Sequence, residues 1–143
     1  MKYSIKTISI FLILIVISVI KSNAQEGYVA IANSSVVEGS LSKSELRRIY
    51  FGFTTQWKNF EKVKPAYQVL EYPNFWEAIS TSESKFKSFW TKRVFSGNGV
   101  APRDFDDSKS LIDYVNNTKG AIGIIPVSIK SSIGPECKVI SIQ

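Results

Sequence analysis

Residues 41–57 read Leu41-Ser-Lys-Ser-Glu-Leu-Arg-Arg-Ile-Tyr-Phe-Gly-Phe-Thr-Thr-Gln-Trp57. Ser42 followed by Glu45 is a capping-box pattern, in which each side chain accepts the other's backbone N–H at a helix start. Leu46, Ile49, Tyr50 and Phe53 then recur at helical spacing, and Gly52 is a stop. The stretch predicts a helix over about 43–51, followed by a polar turn at 54–59 that holds Trp57. Upstream, Gly27 to Ala32 is a short apolar run of strand formers that ends in Asn33-Ser34-Ser35. A strand, a polar turn and a capped helix therefore open the folded part of the chain.

Downstream the two periods keep alternating. Val63 to Leu70 is strand-like and is entered after Pro65. Pro73 to Ser80 predicts a short helix with Phe75, Trp76 and Ile79 on one side. Ser82 opens the longest helical pattern, with Phe86, Phe89, Trp90, Val94 and Phe95 as its apolar face and Gly97 and Gly99 as its end. A loop with Pro102 spans 100–107. Ser108 to Asn117 reads as a helix with Leu111, Ile112 and Val115 inward. Ala121 to Ile125 is a buried-type strand, and Cys137 to Ile142 is the last. Strands alternating with helices predict an α/β or α+β domain with at least two parallel strands.

The first 24 residues are of another kind. Lys2 and Lys6 precede an apolar run from Ile8 to Ile20, and Ser22-Asn23-Ala24 supplies small residues at a cleavage site. The run falls short of the about 20 residues that span a bilayer. It reads as an export signal cut after Ala24. The expected product is a single domain, 25–143, periplasmic or secreted, with no stable membrane insertion. Loss of Lys2, Lys6 and Lys21 lowers the formal charge from +6 to +3. Export and so small a charge argue against nucleic acid as a partner.

Composition excludes much chemistry. The chain has no histidine, so the commonest general base and the commonest zinc ligand are missing. Its one cysteine, Cys137, can form no internal disulfide and no thiolate metal site, and it reads as a small buried side chain. Ser-x-x-Lys occurs at Ser40/Lys43, Ser82/Lys85 and Ser84/Lys87, but no Lys-Thr-Gly follows, so a serine acyl-enzyme is not indicated. Asp104, Asp106 and Asp107 precede a helix and read as caps, too few in oxygen ligands for calcium. Neither an enzyme, nor a metal, nor a cofactor is expected. Two segments suit an anion: Ser96-Gly97-Asn98-Gly99 as a nest of backbone N–H groups, and Asn33-Ser34-Ser35 through hydroxyls. Trp57, placed in a polar turn, is the tryptophan expected at the surface.

Residues 41–57, Phe89-Trp-Thr-Lys-Arg-Val-Phe-Ser-Gly-Asn-Gly99 and Lys119-Gly-Ala-Ile-Gly-Ile125, taken in that order, resemble the phosphate-binding, type II periplasmic binding proteins of ABC transporters. The short phosphate-binding-protein-like members are more similar still, and the resemblance covers nearly all of 27–126. It implies one lobe of a type II periplasmic binding protein, a mixed sheet flanked by helices. It implies a non-enzymatic binding protein for phosphate or another small anion, with Ser34, Ser35, Ser96 and Asn98 as candidate contacts. The family's phosphate loop, with an Arg and a Ser-Gly-Thr run, corresponds here to Gln68 to Trp76, which contains no Ser, Thr, Gly or Arg. Glu71 in that loop would repel an anion. A second expectation follows: a lobe that lost its ligand and docks an envelope protein, or a second copy of itself, through Trp57, Phe75 and Trp76.

Overall fold

A computed structural model describes residues 27–143. The export signal read at 1–24 lies outside the described residues. The elements run β1 (Tyr28–Asn33), β2 (Ser40–Leu41), α1 (Lys43–Tyr50), β3 (Lys64–Tyr67), α2 (Phe75–Ala78), α3 (Glu83–Phe95), β4 (Arg103–Asp104), α4 (Ser108–Asn117), β5 (Ala121–Pro126), a 3-10 turn (Val127–Ser132) and β6 (Cys137–Ile142). Each long helix starts on the residue its sequence pattern names. Ser42 and Glu45 form the reciprocal capping box of α1, Ser82 caps α3 and Asp107 caps α4.

The six strands form one sheet in the order β2-β6-β1-β5-β3-β4. β1 is antiparallel to both its neighbours, while β3 is parallel to β4 and β5, and β2 to β6. One reversed strand thus sits inside an otherwise parallel sheet. Alternate residues of β1 and β5 feed opposite faces. Ala30, Ala32, Ile122 and Ile124 join α1, α2 and α3 on one side. Ile31, Ala121 and Ile125 join Leu111, Ile112 and Val115 of α4 on the other. A Cβ at Gly123 would stand 2.5 Å from Leu111 Cδ2, so glycine there lets α4 lie close to β5. The result is three layers, helix on sheet on helix.

Three surface assignments change. Trp57 and Phe75, expected as exposed anchors, are buried, and Phe75 is inaccessible. The Trp57 turn folds back on the chain so that its indole N–H donates to Gly120 O at 2.9 Å, which satisfies the polar tip while the rings bury. Phe75 is enclosed by Tyr50, Tyr67 and Phe86, at ring distances of 5.1, 5.0 and 6.3 Å. The apolar face of α3 is also narrower than expected. Phe86 and Trp90 are buried, whereas Val94 is 49% and Phe95 89% exposed. Phe95 follows Phe86 by nine residues, which is about 180° round the helix, so the two cannot share a face. Cys137 is half-buried, with Sγ 3.9 Å from Ile112 O, and burial pushes its thiol pKa up.

Trp90 packs under Gly52 and donates its indole N–H to Tyr50 O at 3.0 Å. Trp90→Ala is expected to cost about 3–5 kcal/mol, the range for truncating a buried large aromatic. Phe95→Ala should stay within about 0.5 kcal/mol. Urea unfolding followed by circular dichroism checks both.

Candidate functional site

In sheets with parallel strands, ligand crevices lie beyond the carboxyl ends of the strands. Here that end is built from three polar residues. Gln68 leaves β3 fully buried. Its amide Nε2 donates to Ser108 Oγ at 3.1 Å, and its Oε1 accepts the Glu71 N–H at 2.9 Å. Glu71 Oε2 in turn accepts the N–H of Ser108, the first residue of α4, at 2.8 Å. The carboxylate of Asp107 accepts the Ser110 N–H at 2.7 Å and the Ser110 hydroxyl at 3.1 Å. Those bonds, that of the Ser110 N–H first, hold the Asp107 carboxyl below its ordinary range. A cavity of about 610 Å³ opens alongside, lined by Glu71, Ser108, Lys109, Asp113 and Ser128 among others. Lys109 is already paired with Asp113 at 2.8 Å. The positive end of α4, where a free anion would bind, therefore faces two of the chain's own carboxylates.

None of Gln68, Glu71 and Ser108 was singled out from sequence as a contact. They stand up to 40 residues apart and meet through the pairing of β3 with β4 and β5. The available signal was chemical: a glutamine ending an apolar strand is costly to bury unless it finds partners.

The residues that were singled out fall in separate places. Ser34 donates its hydroxyl to Glu136 Oε2 at 2.7 Å, and Ser35 Oγ accepts the Gly120 N–H at 2.9 Å. The neighbouring Asn33 closes the end of α4, donating to Val115 O at 2.9 Å and Asn116 O at 3.1 Å. Ser96 and Asn98 line a different feature, a groove of about 660 Å³ along α3 that includes neither Ser34 nor Ser35. There Asn98 Nδ2 donates to Ser96 Oγ at 3.0 Å, and Ser96 Oγ donates to Arg93 O at 3.0 Å. Trp76 is half-buried, with its ring 5.2 Å from Phe86 and 5.9 Å from Tyr67.

Among the described residues no group of three or more His, Cys, Asp or Glu could hold a metal ion. No helix among them is long and apolar enough to cross a membrane.

With this geometry, the chain is similar to several solved structures. One is a protein from Clostridium perfringens described as a phosphate ABC transporter substrate-binding protein with bound phosphate, at TM-score 0.63 and 16% identity, over 82% of this chain and 45% of that one. A second is an ABC-type phosphate transport receptor from Vibrio cholerae, at TM-score 0.52 and 17% identity, over 82% and 46%. A third is PstS from Borrelia burgdorferi, at TM-score 0.56 and 13% identity, over 82% and 47%. No protein-family model and no curated protein sequence matches the chain. At such identities the likeness shows the fold: one lobe of a type II periplasmic binding protein, as the sequence resemblance implied. The chain spans a little under half the length of these structures.

Tyr67 and Asp104 face each other across β3 and β4 beside this end of the sheet. Burial first, and the Asp104 charge second, push Tyr67 up to about 12 from an ordinary 10.0. Burial likewise raises Tyr50 and is the main cause raising Asp104. The folded state holds the Tyr67 proton more tightly than the unfolded chain does. That contribution is complete below about pH 10 and is lost as pH climbs from about 10 towards 12. Urea midpoints are expected to begin falling near pH 9, where the raised Cys137 thiol starts to contribute, and to fall further above pH 10. Tyr67→Phe should make the fall above pH 10 shallower.

Proposed function

We propose that this chain is a non-enzymatic binding module of the cell envelope that acts by docking and does not close on a free phosphate. One observation carries the reading. The Glu71 carboxylate accepts the Ser108 N–H at 2.8 Å, at the start of α4, where a bound anion would otherwise sit. The fold, shared with part of a phosphate ABC transporter substrate-binding protein, supports a binding role. Export rests on the pattern of residues 1–24. The partner is an envelope protein, with a second copy of the chain as the other candidate.

Ligand that binds only the folded state stabilises it by RT ln(1 + [L]/Kd), about 2.7 kcal/mol at 100 Kd. In a domain of this size that raises Tm by several degrees. Millimolar phosphate is expected to move the Tm of residues 25–143 by less than about 1 °C, since Glu71 and Asp107 already hold the Ser108 and Ser110 N–H groups. Glu71→Ala should cost about 1–3 kcal/mol by leaving the Ser108 donor unmet, and phosphate should restore part of that loss. A clear shift of the unmodified protein at micromolar phosphate would overturn the docking reading.

A second reading has its own support. Arg93, Ser96 and Asn98 lie together in the α3 groove, a polar and cationic setting for a small anion. It requires a phosphate or sulfate response that Ser96→Ala abolishes. If Ser34→Ala abolishes the response instead, the anion belongs at the end of β1.

A further inference from the structure

The α3 groove carries more than an anion contact. Lys85, Lys92 and Arg93 line it, Ser84 and Ser88 add exposed hydroxyls, and no acidic side chain is part of its wall. Two ion pairs occur among the described residues, Glu83 with Lys87 and Asp113 with Lys109, so none of these three cations has a carboxylate partner. Arg93 is held in place. Its Nε donates to Asn98 O at 2.9 Å, and its guanidinium lies 5.7, 5.6 and 5.7 Å from the ring centres of Phe53, Phe89 and Trp90. A Cβ at Gly99 would stand 3.2 Å from that Nε, so the glycine gives the arginine its room. A fixed guanidinium loses little freedom when a carboxylate arrives.

We propose that this groove docks an acidic, extended peptide segment of a partner protein. The inference rests on the docking reading above and names its surface. Shape and charge decide the occupant. The wall from Ser84 to Ser96 is about 20 Å long at 1.5 Å per residue, the reach of about six extended residues. Lys85 and Lys92 are two turns apart, about 10 Å, a spacing that matches successive carboxylates along one extended chain. A bilayer surface needs apolar side chains inserted beside its cations. The only apolar side chain in this wall is Phe89, which is half-buried. The exposed Phe95 and Val94 line a different groove, with Ala101.

The test uses the mature chain and a short dye-labelled peptide of alternating glutamate and serine, with a glutamine–serine peptide as its neutral twin. Fluorescence anisotropy should show saturable binding of the acidic peptide, weakening as salt is added, and no binding of the neutral twin. Lys92→Glu and Lys85→Glu change exposed residues and should preserve the fold. Each exchanges an attraction for a repulsion and should weaken binding by roughly tenfold. Arg93→Ala should weaken it at least as much, and Lys130→Glu, outside the groove, should leave it within about twofold. Failure of the unmodified chain to bind the acidic peptide overturns the assignment. Equal losses from Lys92→Glu and Lys130→Glu overturn it too, since the effect would be net charge alone. Capture by phosphatidylglycerol vesicles without peptide binding would replace the peptide with a lipid surface. Displacement of the peptide by micromolar phosphate would replace it with a free anion. A failed peptide titration with phosphate still silent removes the groove and keeps the docking reading, whereas a micromolar phosphate shift removes both.

Discussion

Gly120 holds the sheet together. Its backbone is left-handed at φ 77°, and a Cβ there would lie 2.0 Å from the Lys62 carbonyl oxygen, so no other residue fits without moving the chain. Its N–H donates to Ser35 Oγ at 2.9 Å. Its carbonyl accepts both the Trp57 indole N–H at 2.9 Å and the Lys64 N–H at 3.0 Å. One residue thus joins the segment after β1, the 54–59 turn, the start of β3 and the start of β5. The pairing of Lys64 with Ala121 begins at that junction. Register is all-or-none in a strand, since a slip by one residue sends every side chain to the other face. The placement of Gln68 at the far end of β3, within reach of Ser108, therefore depends on a glycine at the opposite end.

The same junction explains what could be read from the sequence. Local signals were enough wherever one segment satisfies itself. Ser42 with Glu45, Ser82 and Asp107 cap helices through backbone donors three residues on, so their helices were readable. Short runs rich in apolar strand formers marked β1, β5 and β6. Trp57 was misplaced because its partner is Gly120, 63 residues away, and nothing in a polar turn reveals that acceptor. β2 and β4 have two residues each, too short for any period, and exist because a neighbouring strand offers them hydrogen bonds. The candidate site is hidden for the same reason as Trp57. The resemblance led to the loop from Gln68 to Trp76 and to its missing hydroxyls. It did not reveal that the donor beyond them belongs to α4 and is already taken.

That donor decides what kind of binding is open to the fold. A helix start attracts an anion because its first N–H groups are unpaired and point outward. In α4 the N–H groups of Ser108 and Ser110 each meet a carboxylate, from Glu71 and Asp107. A free phosphate must displace Glu71 or share the space with two negative charges. Displacement returns one carboxylate to water and strands the Glu71 segment, which Gln68 holds by the Glu71 N–H. The internal anion also has an advantage of effective concentration, because it is part of the same chain.

Solvent adds to this handicap. An ion pair at about 4 Å gains roughly 1 kcal/mol in bulk water and about 4 kcal/mol at the effective dielectric of a protein surface. A clamp binds a small anion tightly by moving it from the first setting towards something drier. The open α3 groove leaves a small anion near the first, where a single contact contributes little. Several contacts spread along a groove escape that limit, since each adds a little and the first brings the rest within reach. Three unpaired cations along one helix suit a ligand with charges at intervals, and a pinned arginine reduces the ordering cost of the contact. The α3 groove is therefore better fitted to hold a chain than an ion.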